Sequence, residues 1–263
     1  MPLLRTAFAM NPFPLLLLPF MASVRISAAL KAQALNFQSG SAVEPPTGRC
    51  LKFMHIPKTG GTAVADSGKM QGYNWAVRDP WMLFYNYFVK KVPSLPCGAW
   101  HTPPDTMTPE LVQYFSDCEV FCVVRHPVQR MISEWKETYN CGDPGFDSWV
   151  VATLDSARAD RYAADCHLLP QVNFTRYSPA NRGKHCQHTL KYEELKDQFE
   201  SLMIDFNLPV RLNSTANTRV KEKCNFTVSR EAQAQIAEFY AEDYAAFGYD
   251  PSYDNSVLNR VNH

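Results

Sequence analysis

The sequence carries no excess of charge: its 26 lysines and arginines equal its 26 aspartates and glutamates. That balance argues against a bulk nucleic-acid binder and leaves only a local basic cleft to look for. Internal repeats and long low-complexity tracts are also missing. The 263 residues therefore suit a globular chain with one sizeable core rather than two. The cysteines are not spaced as paired CxxC zinc ligands, and no GxxxxGK[ST] signature occurs. Acidic residues are absent before Glu44.

Within that acid-free beginning, Phe8 to Val24 is apolar and lies between Arg5 and Arg25, with prolines at 12, 14 and 19. At 17 residues it is a short, poor membrane helix, and reads either as a secretory signal cleaved near Ser27-Ala28-Ala29 or as a signal anchor. Residues 1–30 are assigned to it, residues 31–49 to a polar stem and residues 50–263 to the folded domain. Sequons at Asn173, Asn213 and Asn225 suit a lumenal chain. So do eight cysteines, at 50, 97, 118, 122, 141, 166, 186 and 224, which read as disulfides with a preference for Cys166–Cys186. The expected location is the Golgi lumen as a single-pass type II membrane protein, or the exterior.

Leu51–Ile56 reads as a buried strand, with a helix from Thr62. Glu110–Phe115 is a short helix, and "CEVFCVV" (118–124) a second interior strand. Val128, Met131, Ile132, Trp135 and Tyr139 keep helical spacing. A helix over Phe146–Tyr162, a strand-to-helix turn at "HTLKYEEL" and a last helix capped by Ser229 follow. Alternating strands and helices imply a parallel sheet covered on both faces, with ligands at the carboxyl ends of the strands.

Two segments fall at those ends. In "HIPKTGGT", Pro57, Lys58, Thr59, Gly60, Gly61 and Thr62 form a glycine-rich turn into a helix. Free amides and the positive helix end attract an anion there, and Lys58 adds a mobile charge. This is not a Walker A loop, because Lys58 precedes the glycines. In "VVRHPVQRMISEW", Arg125 stands at a strand end and Ser133 eight residues on. Together they suit a second phosphate.

The two segments resemble the 5′- and 3′-phosphate-binding motifs of sulfotransferases that use 3′-phosphoadenosine 5′-phosphosulfate, most closely the Golgi carbohydrate (heparan/chondroitin-type) enzymes. The likeness continues through "HLLPQ", "LKYEELKDQF" and the region from Asn213 to Asp250. It implies a P-loop NTPase-like three-layer α/β fold, with a central parallel sheet between helices. It also implies that Lys58–Thr62 hold the 5′-phosphosulfate and that Arg125 and Ser133 hold the 3′-phosphate. The 213–223 loop, with Arg219 and Lys223, would help close over the nucleotide.

Sulfuryl transfer needs a proton acceptor and a stabilised leaving group. Lys58 suits the second task. His101, in a proline-rich loop between the two binding elements, is the expected base, with His167 as second choice. His55 and His126 read as packing or turn-shaping residues, and Glu134 and Glu137 as solvated carboxylates. Arg176, Arg182, Lys184, His185, His188 and Lys191 form a basic stretch that could line a glycan site or be an ordinary solvated face. No metal is required, because Lys58 can take the role magnesium has in phosphoryl transfer. The expected acceptor is a glycan or polysaccharide hydroxyl. Competing readings are a protein-tyrosine sulfotransferase, a P-loop kinase and an inactive glycan-binding relative. The kinase reading lacks a Walker B acid, since "CEVFCVV" runs into Arg125.

Overall fold

The computed structural model describes residues 48–76, 95–176, 183–212 and 226–256. Strand β1, Leu51–Met54, is followed by helix α1, Gly61–Met70. Helix α2, Pro109–Ser116, leads into strand β2, Glu119–Val124, and helix α3, Pro127–Tyr139. Then come α4, Phe146–Ala159, and α5, Val172–Thr175. Strand β3, His188–Lys191, passes through a three-ten turn into α6, Leu195–Asp205. Helices α7, Arg230–Phe239, and α8, Ala241–Phe247, end the described chain.

The strands form one parallel sheet in the order β1-β2-β3. Parallel strands need helical crossovers, which cover both faces and demand apolar residues on each. Strand β2 shows the result. Phe121 and Val123 pack with Phe53, Val64 of α1 and Phe199 of α6. Val120, Cys122 and Val124 turn the other way, onto Leu111 and Phe115 of α2 and Phe174 of α5. A third apolar cluster joins α3, α4, α7 and α8 around Trp135, Trp149, Leu154 and Ile236. The expected three-layer α/β architecture is therefore present.

The ends of the elements follow local chemistry. Thr108 and Ser229 cap α2 and α7 by accepting from the backbone N–H groups of Leu111 and Ala232. The single last helix expected from sequence is instead two, broken at Tyr240, whose buried hydroxyl donates to Leu168 O at 2.9 Å.

Among the described residues, three disulfides tie distant segments: Cys50–Cys118, Cys97–Cys166 and Cys122–Cys186. The expected Cys166–Cys186 pair is therefore wrong. Cys186 lies just before β3 and meets Cys122 on the neighbouring strand, while the 160–166 bend turns Cys166 toward Cys97. Each bridge closes a loop of 64 to 69 residues. By chain entropy, such a loop restricts the unfolded state by about 4 kcal/mol. Of the three sequons, Asn173 is described. It is half-buried in α5 with Nδ2 donating to Pro170 O, and Thr175 beside it is buried.

Candidate active site

The turn after β1 is built tightly. Gly60 adopts φ 85°, which a side chain resists, and the Tyr192 ring lies 2.8 Å from where a Cβ would sit. At Gly61 a Cβ would meet His55 Nδ1 at 2.1 Å. The imidazole, stacked on Trp100, thus fills the space that glycine leaves. Thr59 is fully buried and donates to Ile56 O at 2.8 Å, locking the turn from within. Lys58 itself is left-handed at φ 68°, an uncommon conformation for a residue with a side chain. Its ammonium is ion-paired to Glu137 and lies 3.9 Å from Glu134, both on α3.

Arg125 leaves the end of β2 almost wholly buried, at 9% exposure. Its guanidinium donates weakly to Lys58 O at 3.3 Å and Gln129 Oε1 at 3.4 Å, and stacks over the Tyr192 ring at 4.1 Å. No carboxylate ion-pairs with it among the described residues. Burial lowers its pKa, but an arginine stays protonated. Glu193 contributes a nearby field, yet its oxygens accept from His126 N–H and Tyr249 Oη–H. Gln171 clamps the Arg125 backbone on both sides, accepting from its N–H and donating to its carbonyl. Asp243 of α8 holds Gln171 in turn. Tyr192 therefore lies against both the Gly60 turn and Arg125, and the two sequence segments sit side by side. Ser133 lies on α3, one turn beyond Gln129.

Next to Lys58 is a chain of titratable side chains. Glu134, with 13% of its side chain exposed, meets His167 Nδ1 at 2.8 Å. The His167 ring stands edge-on to His101 at 4.6 Å, and His101 Nδ1 is 2.7 Å from Asp165 Oδ2. Asp165 also accepts from Gly98 N–H at 2.6 Å. Burial pulls the carboxyls of Glu134 and Asp165 upward. Hydrogen bonds and charge interactions with neighbouring groups more than offset this, and both remain below their usual range. Burial dominates at His101 and lowers its pKa despite the Asp165 hydrogen bond. A neutral imidazole oriented by an ionised carboxylate can accept a proton.

Several sequence readings change here. Glu134 is not a solvated carboxylate but a half-buried link between Lys58 and His167; Glu137 is exposed, yet pairs with Lys58. β1 ends at Met54, so His55 lies just beyond it. The expected packing role of His55 and turn-shaping role of His126 hold: His55 is buried and His126 caps α3 by accepting from Val128 N–H. The basic stretch does not form one face. His185 is buried against Phe115, His188 pairs with Glu119, Arg176 pairs with Glu242, and Lys191 lies over Tyr249. Arg182, Arg219 and Lys223 lie outside the described residues, as do the sequons at Asn213 and Asn225.

Arg130, Gln171 and Asp165 carry structural work that sequence reasoning missed. Arg130, 2% exposed, donates to Pro57 O and His167 O, joining the anion turn to the histidine segment. Only its position five residues after Arg125, on the face carrying Val128 and Met131 into the core, hinted at this.

Fold and site together define an α/β protein with a parallel sheet between helices and a tight glycine turn after its first strand. The chain belongs to the sulfotransferase family, whose model it matches over residues 51–250. No curated protein and no solved structure matches it.

Proposed function

We propose that this sulfotransferase moves a sulfuryl group from 3′-phosphoadenosine 5′-phosphosulfate to a hydroxyl of a glycan or polysaccharide, in the lumen of the secretory pathway. The observation that carries the donor is Arg125. A buried guanidinium that meets, among the described residues, a backbone carbonyl, an amide oxygen and a tyrosine face but no carboxylate ion pair is suited to an anion. Its neighbour is the turn of Lys58 to Thr62, which offers a second anion the first-turn amides of α1. Two such positions side by side suit the two phosphate groups of one nucleotide, with Ser133 adding a hydroxyl to the Arg125 side. Arg219 and Lys223 are assigned to closure over the nucleotide by family likeness alone. The disulfides among the described residues support an oxidising compartment, and the membrane is assigned to the N-terminal segment. Among the described residues no helix is long and apolar enough to cross a membrane.

Lys58 leaves Glu137 and donates to the oxygen that bridges sulfur and phosphorus, following charge onto it as the S–O bond breaks. His101 takes the acceptor's proton at Nε2 while its Nδ1–H donates to Asp165. The acceptor oxygen forms the new S–O bond. Glu134 holds His167 edge-on to His101 and helps fix the ring. A carbohydrate acceptor rests on the likeness of the two binding segments to the carbohydrate enzymes. A kinase reading is disfavoured because Arg125 stands where a magnesium-holding acid is needed.

The test is incubation with sulfur-labelled donor, a panel of desulfated glycans and tyrosine-containing peptides. Label in a glycan is the expected result. Label in the peptides alone would shift the assignment to tyrosine sulfation.

A further inference from the structure

His101, Asp165 and His167 each bring one ligand-type atom to within 4.8 Å of the others. They come from two loops joined by the Cys97–Cys166 bridge, four residues before His101 and between the other two. We infer that this cluster is a binding site for a borderline divalent transition metal of the zinc type, and that a bound ion switches sulfuryl transfer off. Binding stands on the cluster alone; the switch rests on the reading of His101 as base.

Two imidazoles and one carboxylate form a donor set suited to zinc, whereas calcium and magnesium prefer oxygen shells. No free cysteine occurs among the described residues to compete for the ion. The site is already shaped. Glu134 engages His167 Nδ1, leaving Nε2 for an ion, which is how carboxylates commonly orient ligating histidines. Gly98 N–H fixes Asp165. Access is open, since 51% of the Asp165 side chain and 23% of the His167 side chain are exposed. Three protein donors leave a coordination position for water, which makes this an exchangeable site rather than a structural one. A metal and a proton compete for the same imidazole lone pairs, so an occupied His101 cannot act as base.

The test uses the disulfide-intact full chain after chelator treatment. Zinc is titrated by calorimetry and cobalt by visible absorption, with magnesium as control. One zinc per chain is expected, with cobalt bands of nitrogen and oxygen ligation and no magnesium uptake. His167→Ala should weaken zinc binding at least about tenfold, and Glu134→Gln by about 10–100-fold, as loss of an orienting partner does. Melting temperatures keep folding failures apart from ligand loss. Absence of stoichiometric binding, or binding indifferent to both substitutions, overturns the site. In the second arm, zinc should lower the sulfation rate without changing affinity for adenosine 3′,5′-bisphosphate. Zinc that binds without slowing transfer overturns the switch. A protein inactive toward every acceptor would challenge the proposed function while calorimetry still decides the site.

Discussion

The ammonium of Lys58 is ion-paired to the Glu137 carboxylate, across from the turn in which it would serve a bound anion. Lys58 keeps only 8% of its side chain exposed, while Glu137 is 59% exposed. In the proposed mechanism, donor binding separates the pair. An ion pair with one solvated partner is worth up to about 1 kcal/mol, equivalent to about fivefold in affinity. Glu137→Gln should thus tighten binding of adenosine 3′,5′-bisphosphate by up to about fivefold in calorimetry. Weaker binding in this variant would mean that Glu137 assists the nucleotide rather than competing with it.

His101 and Asp165 make separable predictions. His101→Ala should lower kcat by about 10²–10⁴-fold, the usual contribution of a general base, with bisphosphate affinity retained. Because burial lowers the His101 pKa, the acid limb of kcat should fall below the ordinary histidine value of about 6.5. Asp165 favours the protonated ring, so Asp165→Asn should move that limb to still lower pH and reduce kcat. A limb that rises instead would remove Asp165 from contact with the base.

The bend that presents Asp165 is strained: Ala164, Asp165 and Cys166 have φ of 52°, 56° and 64°. Left-handed conformations cost non-glycine residues about 1–2 kcal/mol each, so the surroundings must enforce them. The Cys97–Cys166 bridge and the Gly98–Asp165 hydrogen bond provide that enforcement. Replacing both cysteines by alanine should lower kcat at least about tenfold, with much smaller loss of bisphosphate affinity, because the nucleotide elements lie on other segments. Equal loss of both would assign the bridge to global folding alone.

His185 should contribute to the loss of stability in acid. It is 3% exposed, its Nε2 lacks a hydrogen-bond partner among the described residues, and burial pulls its pKa down to about 4. Between pH 6.5 and that value the unfolded chain binds a proton that the folded chain refuses, so stability falls as pH falls. The drop amounts to about 3 kcal/mol at most. His185→Leu should flatten this part of the stability curve in denaturant unfolding. An unchanged slope would place the acid sensitivity elsewhere.

The strand and helix order was legible because buried parallel strands read as unbroken apolar runs and the helices keep one apolar stripe. The tight turn after the first strand was legible because its glycine spacing is local. The rest was formed by contacts that leave no periodicity. Asp165 reaches His101 through a left-handed bend and a bridge between residues 69 positions apart. Glu134 looked solvated because its helix turn also carries exposed Glu137, and only the approach of His167 shows which carboxylate is covered. Tyr192, which touches both Gly60 and Arg125, lies beyond a third strand and has no local signature at all.

Two-point anchoring of one nucleotide is most directly tested by titrating adenosine 3′,5′-bisphosphate into wild-type protein and Arg125→Ala. The expected result is saturable one-to-one binding, weakened about 10–100-fold in the variant, as loss of charge-assisted hydrogen bonds does. Unmeasurable affinity in the wild type, or equal affinity in both, would contradict it.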